Sequence, residues 1–275
     1  MEILRVFGMA LFAVLMCVNL AACGSSDDDP SDEPGGGGVV NSGKKISKIV
    51  GTSGDGSFSA TLKFSYDSKG RLSEAVETEE EDGYKESDTY KFIWGDDIIK
   101  VNESSTYSGS TYTESYTLVL KDGLVQYEEY EDEGDTGTYT YNTSNRLIKF
   151  SEGSYWSCSA IWDGDKLVSI YDDYEEATIT YGKSCQKGYF PFIATMMEAG
   201  ECATLFMAHP EIAGMRTAQL PASITWAYDN YDGTESETST MEYEFDKEGY
   251  ISKIMGRETD SDGETSTYTY TLTWQ

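Results

Sequence analysis

From Ile46 to Gln275 the chain alternates apolar or aromatic residues with Thr, Ser, Glu and Lys, the two-residue period of strands that bury one face. Turns rich in Asp, Asn and Gly interrupt the alternation and share a form: Phe64-Ser65-Tyr66-Asp67-Ser68-Lys69-Gly70-Arg71-Leu72, Tyr139-Thr140-Tyr141-Asn142-Thr143-Ser144-Asn145-Arg146-Leu147, Ile161-Trp162-Asp163-Gly164-Asp165-Lys166-Leu167 and Tyr243-Glu244-Phe245-Asp246-Lys247-Glu248-Gly249-Tyr250-Ile251. Asp or Asn starts such a turn by capping backbone donors, and Gly or Asn accepts the positive φ at its end. Weaker copies lie at 92–101 and 118–125, and the units recur about every 20 to 28 residues, long enough for two strands and two turns each. The opposite turns, at 79–83, 107–110, 131–137, 231–235 and 260–264, are longer, acidic and richer in Gly. The pattern predicts an all-β domain, an antiparallel up-and-down meander curled into an open or closed barrel-like sheet, because a long meander must hide its edges.

Two stretches leave the period of two. Residues 191–220 carry Met196, Met197, Ala199, Ala203, Leu205, Phe206, Met207 and Met215, and predict a short helical insert that packs on the sheet or inside its mouth. Residues 1–22 form an apolar run behind Arg5, the profile of an export signal, and the run ends at Leu20-Ala21-Ala22-Cys23-Gly24. That ending resembles a bacterial lipobox, which implies cleavage before Cys23 and lipid on its thiol. Next come Ser26, Asp27, Asp28 and Asp29, which resemble the acidic export signal of surface-exposed lipoproteins of Bacteroidetes; a solvated spacer is the alternative. With Pro30, Pro34 and the glycines at 35–38, residues 23–44 read as an acidic, Gly-rich tether, leaving 45–275 as a single domain.

Charge narrows the partners. The 49 acidic against 20 basic residues give a net charge of -29, unsuited to a phosphate backbone, so no nucleic-acid partner is expected. Contact with a membrane is expected through the N-terminal lipid alone. The acid excess serves solubility, or attracts divalent cations or basic partners. An aromatic share of 13%, led by 21 Tyr, suits strands.

The turns quoted above, together with Leu220-Pro221-Ala222-Ser223-Ile224-Thr225 after the insert, give residues 45–275 a resemblance to a lipoprotein family of gut Bacteroidetes described as having a porin-like β fold. A weaker similarity links them to the Tyr-Asp repeats of bacterial shell-forming surface proteins. The resemblance implies a curled or closed antiparallel sheet of many strands and carries over no catalytic residue. The polar strand face is charged and shows no outward apolar band with aromatic girdles, so a soluble domain with a porin's shape is expected.

No catalytic set emerges from the side chains. His209, the single histidine, supports neither a multi-imidazole zinc site nor a hydrolase triad, and reads as a surface or capping residue. Cys158, Cys185 and Cys202 leave a Cys158 to Cys185 bridge and three free thiols equally open. The segment Glu258-Thr259-Asp260-Ser261-Asp262-Gly263 imitates half an EF-hand loop but has Thr269 where the bidentate Glu belongs, so no metal or cofactor is expected. Most carboxylates lie in turns or alternate with Thr, Ser and Tyr, the arrangement of a solvated sheet face. Aromatics beside acids suit sugar stacking, and Tyr155, Trp156, Tyr171 and Tyr174 are the candidates to face a ligand; cross-strand packing competes with that reading. The expected protein is an outer-membrane lipoprotein, exposed at the cell surface or facing the periplasm. Its role is non-enzymatic binding of an extracellular glycan or envelope protein, or a structural one, against the alternative of a carboxylate-dependent carbohydrate-active enzyme.

Overall fold

The computed structural model describes residues 43–275 apart from 82, 108, 131–135, 155, 201 and 231–232. Cys23, Ser26, Asp27, Asp28, Asp29 and Tyr155 therefore lie outside the described residues, as do the export signal and nearly all of the tether.

Sixteen strands follow one another: β1 (Ile46–Ser53), β2 (Phe58–Tyr66), β3 (Leu72–Glu81), β4 (Tyr84–Trp94), β5 (Ile98–Tyr107), β6 (Ser110–Lys121), β7 (Leu124–Tyr130), β8 (Thr136–Tyr141), β9 (Leu147–Glu152), β10 (Trp156–Asp163), β11 (Lys166–Tyr171), β12 (Glu175–Ser184), β13 (Gln219–Asn230), β14 (Gly233–Phe245), β15 (Ile251–Thr259) and β16 (Thr265–Trp274). Each pairs antiparallel with its sequence neighbours, and β16 closes on β1 from Ile46 opposite Trp274 to Ser53 opposite Tyr268. The meander is thus a closed barrel, which removes both sheet edges.

Alternation fixes the two faces. On β16, Tyr268, Tyr270, Leu272 and Trp274 are buried inside, while Thr267, Thr271 and Thr273 are exposed outside. On β2, Ala60, Leu62 and Phe64 point in, and Lys63 and Ser65 point out. The outer wall is thus largely Thr, Ser, Lys and Glu, whereas a membrane barrel presents an apolar band there. Among the described residues no helix is long and apolar enough to cross a membrane.

One end of the barrel holds the repeated turns quoted from the sequence, which are no shorter than those at the other end, and it also holds both ends of the described chain, where Lys45 and Gln275 exchange two backbone hydrogen bonds. The expected turn chemistry is present: Asp67 Oδ1 accepts from the Lys69 and Arg71 amides, Asn142 Oδ1 from those of Ser144 and Arg146, and Asp246 Oδ1 from those of Glu248 and Tyr250. Gly70 and Asn145 take the positive φ at equivalent positions.

The sequence repeat has a further physical basis. In seven of the eight two-strand units, an aromatic at or near the end of the second strand donates to the carbonyl at the start of the first. Tyr66 bonds to Ile46, Trp94 to Leu72, Tyr141 to Val125, Trp162 to Leu147, Tyr181 to Leu167, Tyr243 to Pro221 and Trp274 to Ile251, all at 2.6 to 2.8 Å. A cation preceding the acceptor residue covers the ring in three of them: Lys45 over Tyr66, Arg71 over Trp94 and Arg146 over Trp162, at 4.8 to 5.7 Å from the centroid. Each latch ties a strand to the one after it beside the repeated turn. Trp94→Phe, which keeps most of the ring and removes the donor, is expected to cost about 1 kcal/mol in urea unfolding, the net worth of one such bond. An unchanged midpoint would mean that the latch is ornamental.

The insert between β12 and β13 turns inward and plugs this end. Its helices α1 (Ile193–Met196) and α2 (Ala203–Ala208) and a 3-10 turn at Pro210–Ala213 are too short to persist alone, and they persist because the barrel wall surrounds them. Phe192 packs on Tyr270, Tyr189 on Trp274 and Phe206 on Tyr139. Ile193, Met197, Leu205, Phe206, Ala213 and Met215 are essentially inaccessible. Gly214, at positive φ, lies so close to the Asn145 carbonyl that a side chain would collide with it. Of the two placements open from sequence, the insert takes the one inside the barrel.

His209 caps α2 at its C-terminus as expected, but its ring is buried rather than at the surface. Its Nε2 accepts the Leu72 amide at 3.1 Å, so the proton sits on Nδ1, which faces Glu211 at 2.9 Å; Trp94 and Tyr66 pack edge-on around the ring. Among the described residues Cys158, Cys185 and Cys202 form no disulfide, and the Cys202 thiol meets the Tyr116 hydroxyl at 3.4 Å.

Candidate functional site: the open mouth of the barrel

Along β3 and β4 the inward side chains change character with distance from the plug, whereas on β2 they stay apolar, from Phe64 through Leu62 and Ala60 to Phe58. On β3 they run Leu72, Ala75, then Glu77, Glu79 and Glu81; on β4, from the same end, Phe92, Tyr90, then Asp88, Glu86 and Tyr84. Lys85, Lys91 and Lys100 hold the alternate, outer positions. Glu77, Glu79, Glu81, Glu86 and Asp88, read from sequence as part of a solvated sheet face, therefore share the inner face with the core. Thr78, Ser87 and Thr89 take the outside, together with Glu74 and Glu80.

Strand register sets like charges directly opposite each other: Glu77 against Asp88, Glu79 against Glu86, and Glu103 against Glu114. Such pairs are unfavourable in a sheet. Burial, and then the neighbouring carboxylates, push Glu77 up to about 8 and Glu79 up to about 7. Asp88 and Glu86 are raised as well, chiefly by burial. Glu128 is a different case. It is fully buried against the plug, and the hydroxyls of Tyr130 and Tyr139 donate to its two oxygens.

Across the mouth, Trp156, Tyr171, Asp172, Glu175, Met196, Glu198 and Trp226 border a crevice of about 220 Å³, its open side included. That is below the roughly 300–1,000 Å³ of sites that enclose a ligand. Trp156 Nε1 donates to Asp172 Oδ2 at 3.2 Å, and burial, with the Asp172 and Glu198 charges, lifts Glu175 to about 7. Of the aromatics singled out in sequence, Trp156 and Tyr171 meet at this crevice. Tyr174 stands in the following turn, largely in solvent. Sequence reasoning missed Trp226 and Glu175, which β13 and β12 bring to the same crevice as Trp156 of β10; nothing local to either residue announces it.

Among the described residues no group of three or more His, Cys, Asp or Glu is placed to hold a metal ion.

These features define a class: a sixteen-stranded closed antiparallel barrel, plugged at one end, acid-lined at the other and polar on its outer wall. No protein-family model matches the chain, and no curated protein matches it. Among solved structures the fold is similar to that of a porin-like protein from Bacteroides uniformis ATCC 8492, with a TM-score of 0.62 and 17% identity over 84% of this chain and 96% of that one. A porin-like protein from Bacteroides vulgatus ATCC 8482 aligns over 85% of this chain and 99% of that one, with 13% identity and a TM-score of 0.38.

Proposed function

We propose that the protein is a lipid-tethered, non-enzymatic binding module of the outer membrane, displayed at the cell surface, whose ligand meets the open mouth. The observation that carries this reading is the position of Lys45, paired with Gln275 at the plugged end. A tether ending there directs the acid-lined mouth away from an anchor at Cys23. The plug argues against a channel, because apolar side chains occupy the lumen at that end. The hydroxyl-rich wall favours a barrel that stands in water, held by lipid alone. An extracellular glycan at the Trp156 and Trp226 crevice, or an envelope protein on the rim, fits the mouth. A paired-acid hydrolase is the weaker reading. It needs one carboxyl kept protonated beside one kept ionised, and Glu77, Glu79, Glu86 and Asp88 are all shifted the same way.

The test is protease shaving of intact cells carrying the native chain or a variant with Asp27, Asp28 and Asp29 changed to Ala. Native chain degraded and variant spared is the expected result. Protection of both, with loss only after lysis, would place the domain in the periplasm and end the surface reading.

A further inference from the structure

The barrel wall is uneven in height. Strands β3 to β6 run 10, 11, 10 and 12 residues, against six each for β8, β9 and β11. Because the β2–β3, β4–β5 and β6–β7 turns lie at the plugged end, the extra length of β3 to β6 rises at the mouth, its inner face above the shorter β8, β9 and β11 and facing β12, β13 and β14, of 10, 12 and 13 residues, across the lumen. Three large aromatics on that face are exposed: Tyr84 at 70%, Tyr107 at 50% and Tyr112 at 64%. Register places Tyr84 opposite Glu81, Tyr107 opposite Glu86 and Tyr112 opposite Ser105, so the rings interleave with Glu79, Glu81, Glu86 and Asp88.

We infer that this sheet face docks a basic polypeptide segment, one rich in Arg or Lys and held extended along the strands; the inference rests on the binding-module reading above. Charge complementarity selects the partner. The face carries carboxylates in opposed pairs, at a cost to the free barrel, and the lysines of β4 and β5 lie on the opposite face. A bound cation would relieve that repulsion. Same-side residues of a strand recur at about 6.6 Å, the spacing at which an extended peptide presents alternate side chains. Exposed tyrosines between the acids supply ring faces for guanidinium or ammonium groups. A metal ion suits the face less well, because the acids are strung along strands and form no metal-holding group. Since the barrel is closed, the segment cannot join it as an added strand and is held by side chains.

The test uses the full chain, a fluorescent oligoarginine as probe and oligoglutamate as its control, read by anisotropy at low and at physiological salt. Glu79→Gln with Glu86→Gln is expected to weaken oligoarginine binding about tenfold. The same substitutions should hold or raise the unfolding temperature, which separates lost binding from lost fold. Tyr84→Ser with Tyr112→Ser should weaken it several-fold. Asp262→Asn with Glu264→Gln, exposed acids of the turn between β15 and β16, should leave it unchanged. Equal losses in that control pair would reduce the effect to diffuse charge and overturn the site. So would calcium binding that depends on Glu79 and Glu86 without any response to oligoarginine, which would make the face a metal site. Loss of the oligoarginine result while cells are still shaved as expected removes the basic partner and leaves the tethered module standing.

Discussion

Phe206→Ala is expected to destabilise the protein by about 3–5 kcal/mol, the range for emptying a fully buried aromatic site. Thermal unfolding should then begin about 10 °C lower, given roughly 2–4 °C per kcal/mol in a domain of this size. Phe206 is wholly inaccessible at the centre of the plug and meets Tyr139 edge-to-face, with ring centroids 5.8 Å apart. Tyr139 in turn donates to Glu128 and to the Ala199 carbonyl. Losing Phe206 therefore loosens a hydroxyl that satisfies a buried carboxylate, which adds to the cavity. Tyr112→Ala, an equally large truncation at an exposed site, should change stability by no more than about 0.5 kcal/mol. Circular dichroism during heating reads both. A Phe206→Ala loss below about 1 kcal/mol would mean that the plug is a loose occupant rather than the core.

That prediction depends on a feature only half legible in the sequence. The broken alternation after Pro191 and the run of Met, Ala and Phe residues marked an apolar insert, because nothing amphipathic in period two could hold them. Its destination was not legible. An insert packed under an open sheet and one enclosed by a barrel need the same apolar residues, and closure is decided by the pairing of β1 with β16, more than 200 residues apart. The hairpins themselves could be read, since Asp67, Asn142 and Asp246 act within four residues of their partners. The latches could not, because Trp94 and Leu72 lie 22 residues apart and only the register brings them together.

The candidate site fails to announce itself for another reason. Glu77, Glu79 and Glu81 alternate with Thr78 and Glu80, and a strand with acids on both sides gives no sign of which face is inside. Ala75 settles it from below, because the inward phase it sets, past the register shift beside Leu72, continues through Glu77, Glu79 and Glu81 to the mouth. One barrel thus holds two chemistries on one continuous face. The apolar half folds the chain. The acidic half spends some of that stability on a charged, water-facing surface.

A pH profile should expose this division. Carboxylates whose folded pKa lies above the unfolded value of about 4.3 bind more protons in the barrel than in the open chain, so stability falls as pH rises between the two values. Glu77 at about 8, and Glu79 and Glu175 at about 7, place that fall between about pH 4.5 and 8. Burial is the leading cause for all three, followed by their acidic neighbours. In the opposite sense, Asp55 is held down at about 2 by Ser53 and Ser57, and Asp67 and Asp246 are lowered; their contribution is lost only as pH drops below about 4. Stability should therefore peak near pH 5, with the unfolding temperature there higher than at pH 8 by about 5–10 °C, after discounting for the water these acids still touch. Salt should narrow the gap at pH 8 by screening the opposed pairs. Glu77→Gln with Glu79→Gln should flatten the profile while leaving most of the net charge of -29 in place, which separates the mouth from general self-repulsion. A barrel that grows more stable from pH 5 to pH 8 would mean that the inner carboxylates stay ionised at little cost, and the mouth would then be only another solvated surface.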